Sequence, residues 1–241
     1  MANRSSSSRS SGYHTFSWWR DGALPVVILG AMAYGLWQTR PLRSINYTPA
    51  GSITRTQSCL SNLGRIAISF AQYAQDYDGK FPRGTDPEDH YFPQLWGNPA
   101  QSGFTRYGGI YYDDARTAPL LHNLLFPYLR DRKVWHCPDD VGWTESRLYQ
   151  SVEGLSASQL RNIKPSSWAR FGTSYYYMTI HGFAGLRAAD IAHPGHDVVL
   201  FDGDLWHHAE GGGTVNGLFA DGHAQNMTSA HFGEALNVKL P

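Results

Sequence analysis

Apolar side chains recur with a helical period between residues 52 and 78. They fall at steps of three and four and share one face of a helix: Leu60, Leu63, Ala67, Phe70, Ala74 and Tyr77. Polar residues such as Asn62, Arg65 and Asp76 fall on the other faces. The pattern predicts a long amphipathic helix. Gly79 is expected to end it, because glycine readily adopts the left-handed conformation that follows a helix C-terminus.

The second half of the chain favours short strands. Aromatic or β-branched runs occupy residues 175–179, 197–201 and 215–220, with glycine-rich breaks between them. Asp221-Gly222 separates the last run from residues 223–227 and predicts a type I′ hairpin, in which both turn residues have positive φ. A shorter helix is expected at residues 118–128. The predicted fold class is α+β, with the long helix packed on a small antiparallel sheet.

An uncharged apolar run covers residues 23–37, with Trp18 and Trp19 before it and Trp37 at its end. Such a run with aromatic ends is typical of a segment inside a bilayer. It has about fifteen residues against the roughly twenty that span a membrane comfortably, and residues 34–39 would extend it. We therefore expect a membrane anchor at residues 23–40, after a disordered Ser-rich segment at residues 1–22. A linker at residues 41–51 follows.

Two other interpretations of the apolar run stay open. Ala31-Met32-Ala33 has the small-x-small form of a signal-peptide cleavage site, and a buried helix of a soluble protein has the same length. Arginines before the run favour a cytoplasmic N-terminus, whereas Arg40 and Arg43 after it oppose that topology. The favoured interpretation places residues 52–241 as one domain in the periplasm or outside the cell.

Composition narrows the classes of function. The formal net charge is zero and the sequence pI is about 7.2, so no general field attracts nucleic acid. No basic stripe is present, and we expect no nucleic-acid partner. Only 17% of residues are charged, while Gly (25), Trp (8) and Tyr (14) are plentiful. This composition suits loop-rich β structure held by large rings. Exposed rings also leave open a secreted module that binds carbohydrate or protein.

The chain has two cysteines, Cys59 and Cys137, without C-x-x-C spacing. A zinc site made of thiolates alone is therefore not expected. In an oxidising compartment the pair permits one disulfide, which would join the long helix to the segment after the second helix. Closing so long a loop stabilises the fold by roughly 4 kcal/mol in the chain-entropy model. Two free buried thiols are the alternative.

Four motifs resemble one bacterial family when taken in order. They are Cys59 to Leu63 running into residues 73–82, Trp135-His136-Cys137-Pro138-Asp139, Ser174-Tyr175-Tyr176-Tyr177, and Asn216-Gly217-Leu218-Phe219-Ala220-Asp221-Gly222-His223. Together they are similar to the prepilin-type proteins with an H-X9-DG domain, which resemble type II secretion pseudopilins. The resemblance implies a pilin-like fold, and it implies a non-catalytic structural or interaction role with pilin-like or secretion-system partners, or self-association.

Two positions depart from the family pattern. Its leader has a Glu after the processed Gly, and here Val27 stands in that place after Gly22. An unpaired carboxylate in a membrane is costly, so the Glu marks assembly, and its absence makes polymerisation an open question. The motif histidine, taken as His208, lies about three residues farther from Asp221 than in the family, which glycines 211–213 can absorb as a loop.

A dense group of polar residues near the C-terminus is the candidate metal-binding site. Asp202 and Asp204, with Asp221, resemble a calcium loop, because hard cations bind several converging oxygens. Ordinary polar turns are the alternative, and calcium is the only cofactor suggested.

A metal-dependent hydrolase built on His207, His208, Asp221 and His223 is the remaining enzymatic hypothesis, although no H-E-x-x-H helix fixes those imidazoles. We predict no catalytic residue, because the sequence has neither a G-x-S-x-G nucleophile elbow nor a phosphate-binding P-loop.

Overall fold

The computed structural model describes residues 55–97, 110–152, 158–209 and 212–236, without the side chains of residues 208, 209 and 212. These residues belong to a compact unit that begins at Ile53. The predicted disordered segment, the anchor at residues 23–40 and the linker lie outside the described residues. Within the described ranges, no helix has both the length and the apolar character needed to cross a membrane.

The long helix α1 spans Arg55–Asp76, as the apolar spacing predicts. Its buried side chains are Cys59, Leu63, Ile66, Ser69, Phe70 and Tyr73. The predicted face is therefore rotated, since Tyr77 is 49% exposed while Ile66 and Tyr73 point inward. Two neighbouring stripes of this helix carry apolar residues, and packing against the sheet selects the one that contains Cys59. Gly79 follows the helix at φ 78°, in agreement with its predicted role.

A small antiparallel sheet forms the second layer. Its strands are β1 (Tyr175–Tyr177), β2 (Val198–Asp202), β3 (His207–Ala209), β4 (Gly212–Phe219) and β5 (Ala224–Thr228). β4 is central, because β5 pairs with one side of it while β2 and β3 pair with successive parts of the other side. β1 completes the edge beyond β2. Helix α1 contacts β4 and β5, so the predicted α+β arrangement is confirmed in the described residues.

The terminal hairpin forms as predicted, with a different turn. Gly222 has φ 90°, whereas Asp221 is not among the described residues with positive φ, so the expected type I′ turn is wrong. The Gly222 N–H donates to the Phe219 carbonyl and the Phe219 N–H donates to the His223 carbonyl, both at 2.9 Å. A turn followed by a left-handed glycine is the other common way to close a hairpin, and it needs positive φ at only one residue.

Short helices and turns occupy the rest of the described chain. The α-helices are α2 (Pro87–Tyr91), α3 (Tyr112–Thr117), α4 (Leu121–Leu124), α5 (Arg147–Ser151), α6 (Ser167–Phe171), α7 (Thr179–Phe183) and α8 (Ser229–Ala235), and 3₁₀ turns cover Pro93–Trp96, Arg132–Trp135 and Ala188–Asp190. The helix expected at residues 118–128 is therefore a single turn, α4. Leu120, Leu121 and Leu125 are buried by packing rather than by helical periodicity, and Leu124 is half-buried.

Aromatic rings hold these short elements together. Phe70 of α1 packs edge-on against Tyr177 of β1, with ring centroids 5.8 Å apart. Beside the main core, a smaller cluster forms around Trp96, whose ring lies 5.2 Å from that of Phe183 and 6.1 Å from that of Tyr111. Residues whose sequence has no regular period are thus ordered by ring packing.

His122 of α4 is buried against the main core as a neutral imidazole. It is 7% exposed and its ring lies 6.0 Å from that of Trp135. Burial, reinforced by the positive charges of Arg132 and His90, lowers the pKa of His122 to about 4. Between an unfolded pKa of about 6.5 and the folded value, the unfolded chain binds a proton that the folded chain rejects. The contribution of His122 to stability is therefore lost as the pH falls through this window.

We expect the His122→Gln variant to lose that part of the acid sensitivity. The free energy of unfolding of the unaltered chain should fall by up to about 3 kcal/mol more than that of the variant between pH 6.5 and pH 4. Urea titrations at several pH values measure the difference. His193→Gln, at an exposed histidine, is the control and should keep the original pH dependence. Parallel pH curves for the chain and the His122→Gln variant would contradict this account.

Candidate functional site

The two cysteines are joined in a buried disulfide. Cys59 lies in the second turn of α1 and Cys137 follows the 3₁₀ turn Arg132–Trp135, and the bridge closes a sequence separation of 78 residues. Both cysteines are 0% exposed. The backbone N–H of Cys137 donates to Ser174 Oγ at 3.0 Å, just before β1. The bridge therefore connects the long helix to the first strand of the sheet, and the predicted pairing is confirmed.

His207 lies beside this bridge. Its Nε2 is 3.6 Å from Cys137 Sγ and its side chain is fully buried. β3 directs His207 inward because its backbone pairs with Thr214 of β4. Successive residues of a strand point to opposite faces of the sheet. The register in which β3 pairs with β4 therefore decides which of the two adjacent histidines reaches the cysteines.

Two carboxylates flank the imidazole. On one side, Nδ1 lies 2.8 Å from Asp139 Oδ2 and 3.2 Å from Thr56 Oγ1. Asp139 in turn meets Arg55 at 3.5 Å, where Arg55 is largely exposed. This arm leads from the buried ring to the first residues of α1 and to the surface.

The other arm runs into the sheet. Nε2 of His207 lies 3.0 Å from Asp202 Oδ2 and 2.7 Å from Asn216 Nδ2. The backbone N–H of Asn216 donates to the same Asp202 oxygen at 2.7 Å, and Asn226 Nδ2 donates to Asn216 Oδ1 at 2.8 Å. The arm therefore joins β2, β3, β4 and β5 through side chains.

The charges of this cluster favour a retained proton. Burial lowers the pKa of His207, but its hydrogen bond and charge interaction with Asp202, helped by Asp139, outweigh burial, so the net shift is upward. Burial also raises the pKa of Asp202, against the opposing effect of His207. Both upward shifts favour a proton held within the His207–Asp202 pair.

Asp140 is a second buried carboxylate with a structural role. Its Oδ2 accepts from Ser174 Oγ at 2.7 Å and from the Trp168 N–H at 2.9 Å. Its Oδ1 accepts from the N–H groups of Gly142 and Ser167, at 2.9 and 3.0 Å. Asp140 thus accepts hydrogen bonds from the first N–H groups of α6 and joins this helix to the segment that contains Cys137.

The remaining motif residues divide between core and surface. Asn216 and Phe219 are buried, with exposures of 0% and 1%, whereas Asp221 and His223 are each 41% exposed and pair at 2.6 Å. The His223 ring stacks on Phe219 with centroids 4.3 Å apart. Gly222 supplies the left-handed turn. The side chain of His208 lies outside the described residues, and its neighbour His207 contacts the motif residue Asn216.

The three carboxylates suggested for calcium have separate partners. Asp202 faces His207. Asp204 accepts from the Leu148 N–H at 2.8 Å and from Ser146 Oγ at 3.2 Å, which places it at the start of α5. Asp221 lies in the hairpin turn with His223. The structure also separates buried His207 from that turn, so neither the calcium set nor the hydrolase set converges in the described residues.

One ligand-type group does converge there. Cys59, Cys137, Asp202 and His207 place one donor atom each within 4.8 Å of one another, and it is the sole such group found among residues 55–97, 110–152, 158–209 and 212–236. The sequence showed Asp202 and His207 as polar candidates and the cysteines as a separate pair. Their meeting depends on the β3–β4 register, which no local pattern encodes.

The tryptophan rings of the irregular segments are mostly internal. Trp96, Trp143 and Trp206 are at most 4% exposed, and Trp168 packs against the main core. These tryptophans support packing rather than an exposed stacking surface.

Comparison with protein-family models, curated proteins and solved structures yields no match for this chain.

Mutation can compare how much the buried His207 cluster and the exposed His223–Asp221 pair contribute to the free energy of unfolding. Replacing His207 with Ala leaves Asp202 and Asp139 without their shared partner in a buried site, and we expect a loss of about 3–5 kcal/mol. The matched change His223→Ala removes an exposed pair and should reduce stability by about 1 kcal/mol or less. Urea unfolding followed by tryptophan fluorescence measures both. Equal losses in the two variants would show that the His207 cluster has no special structural role.

Proposed function

We propose that the chain is a membrane-anchored, pseudopilin-like structural or interaction protein whose α+β domain lies outside the cytoplasm. Its place would be in a type II secretion or pilus-like assembly. The observation that carries the proposal is the buried disulfide between the start of the long helix and the segment that leads into the sheet.

The disulfide supports an extracytoplasmic location. Structural disulfides persist in oxidising compartments and are rare in a reducing cytosol. Closing a loop of 78 residues contributes about 4 kcal/mol in the chain-entropy model, so the domain depends on a compartment in which the bridge survives. The apolar segment at residues 23–37 provides the signal for export or anchoring.

The order of elements supports a pilin-like arrangement. Helix α1 is the first described element and is 22 residues long. A short linker of sequence separates it from the predicted anchor, and its inner face rests on an antiparallel sheet. Its outer face carries Ile68, which is 61% exposed, and this side chain is available for contact with a neighbouring subunit or partner.

The polar residues also suit a structural role. His207, Asp202, Asp204 and Asp140 are each at most 7% exposed, and each binds groups from other elements of the same domain. Such networks make a domain with short elements rigid. Val27 stands where the family carries its assembly Glu, so the proposal is an anchored component and does not require a filament of this chain alone.

Native membranes test the location. We expect the protein to stay in the membrane fraction after alkaline washing and to be released by detergent, and we expect protease added outside the inner membrane to digest the domain. Alkylation under denaturing conditions should label its cysteines only after reduction. N-terminal sequencing of the same material shows whether the leader is trimmed. Recovery of an untrimmed, soluble chain with two reactive thiols would overturn the proposal.

The same membranes test the interaction role through chemical crosslinking. Crosslinked homo-oligomers or complexes with other envelope proteins are expected, and Ile68→Asp on the outer face of α1 should weaken them. Val141→Asp is the matched control, because Val141 is also 61% exposed but lies in a loop. A chain that crosslinks to nothing, or equal crosslinking by both variants, would remove the support for an interaction surface on α1.

A further inference from the structure

The cluster around the disulfide has the donor atoms of a transition-metal site. Cys59, Cys137, His207 and Asp202 together offer two sulfurs, one imidazole nitrogen and one carboxylate oxygen, all within 4.8 Å of one another and all buried. Zn²⁺ binds thiolates, imidazoles and carboxylates in four-coordinate sites. In the bridged form the sulfurs are bonded to each other and offer no thiolate.

We propose that this cluster is a redox-gated metal site. Reduction of the Cys59–Cys137 bridge frees two thiolates that, together with His207 Nε2 and the Asp202 carboxylate, bind one Zn²⁺ or a similar divalent transition-metal ion. The oxidised chain has a disulfide in this place and the reduced chain has a metal crosslink, so the same helix and sheet are joined in both states.

The distances fit such a site. For tetrahedral Zn²⁺ with usual bond lengths, a sulfur and a nitrogen ligand lie about 3.6 Å apart, and a nitrogen and an oxygen ligand about 3.4 Å. Cys137 Sγ lies 3.6 Å from His207 Nε2, and Asp202 Oδ2 lies 3.0 Å from the same nitrogen. The carboxylate would move by a few tenths of an ångström, and the freed sulfurs would separate to about 3.8 Å.

The surroundings of His207 are those of a metal-bound histidine. Asp139 Oδ2 accepts from Nδ1 at 2.8 Å, which fixes the ring and directs Nε2 toward the cysteines. Carboxylates commonly hold the far nitrogen of metal-ligating histidines in this manner. The Asn216 N–H likewise orients Asp202 through its Oδ2, at 2.7 Å.

An unpartnered atom gives independent support. Asp202 Oδ1 is buried and has no hydrogen-bond partner within the described part of the chain, and Asp202 is 0% exposed. A buried carboxylate oxygen without a partner is energetically unfavourable. A cation bound beside Asp202 would neutralise the carboxylate, which the disulfide cannot do.

An external dithiol is the reductant of the Cys59–Cys137 bridge. The dithiol supplies two electrons and two protons, so it becomes a disulfide while Cys59 and Cys137 become thiols. Metal binding then releases both thiol protons, and His207 binds through an unprotonated Nε2. Since both cysteines are fully buried, the reductant reaches the bridge when the first turns of α1 open.

Cobalt binding by the full-length chain in detergent tests the proposal. The chain is reduced with a dithiol in mild denaturant, returned to buffer without oxygen and titrated with Co²⁺. We expect one Co²⁺ per chain, with the thiolate charge-transfer band and intense d–d bands of tetrahedral cobalt, and displacement by Zn²⁺. The oxidised chain should bind none. Zn²⁺ should also raise the urea midpoint of the reduced chain.

Matched variants separate this site from a cysteine pair acting alone. His207→Ala and Asp202→Asn should each weaken Co²⁺ binding at least tenfold and alter the d–d bands. His223→Ala and Asp221→Asn remove an exposed pair of the same types and should change neither. Circular dichroism checks the folding of each reduced variant. If His207→Ala does not fold, the test is decided by Asp202→Asn, which keeps the shape of the side chain. No cobalt binding by the reduced chain, equal binding by the oxidised chain, or unaltered binding by Asp202→Asn would overturn the proposal.

Discussion

The fold depends on the joint between the start of helix α1 and the sheet. At this joint the Cys59–Cys137 bridge and the His207 ring lie in contact, with Cys137 Sγ 3.6 Å from Nε2. The bridge limits the freedom of the unfolded chain, while the ring and its two carboxylates join β2 and β3 to the segment that follows Cys137, where Asp139 lies 68 residues before His207. Elsewhere the 22-residue helix packs on the sheet largely through its buried apolar side chains.

Buried carboxylates perform similar work elsewhere in the domain. Asp140 gathers the start of α6 and the segment before β1, and Asp204 holds the start of α5. Glu88 of α2 accepts from the Gln159 N–H at 2.7 Å. Short elements leave many backbone N–H groups without partners in a ladder, and buried ones must still be satisfied. The polar residues that first suggest a ligand site are therefore largely the means by which irregular segments are fixed.

Much of this architecture can be predicted from local sequence patterns, whereas contacts between distant residues cannot. The period of Leu63 and Phe70 predicts α1, yet the stripe that includes Cys59 is buried because the sheet selects it. The Asp221-Gly222 pair predicts the hairpin but not its turn, since only Gly222 needs positive φ. His207 and His208 are equivalent by spacing, and strand pairing alone turns His207 toward the cysteines. The site arises from contacts distant in sequence, which local patterns do not encode.

The bridge and the His207 cluster together fix α1 on the sheet. Hydrogen exchange of the oxidised and the reduced, metal-free chain tests it most directly. The account predicts that α1 amides lose their protection on reduction before those of β2 and β4, and that the free energy of unfolding falls by about 4 kcal/mol. Unchanged protection of α1, with an unfolding free energy that reduction does not alter, would contradict it.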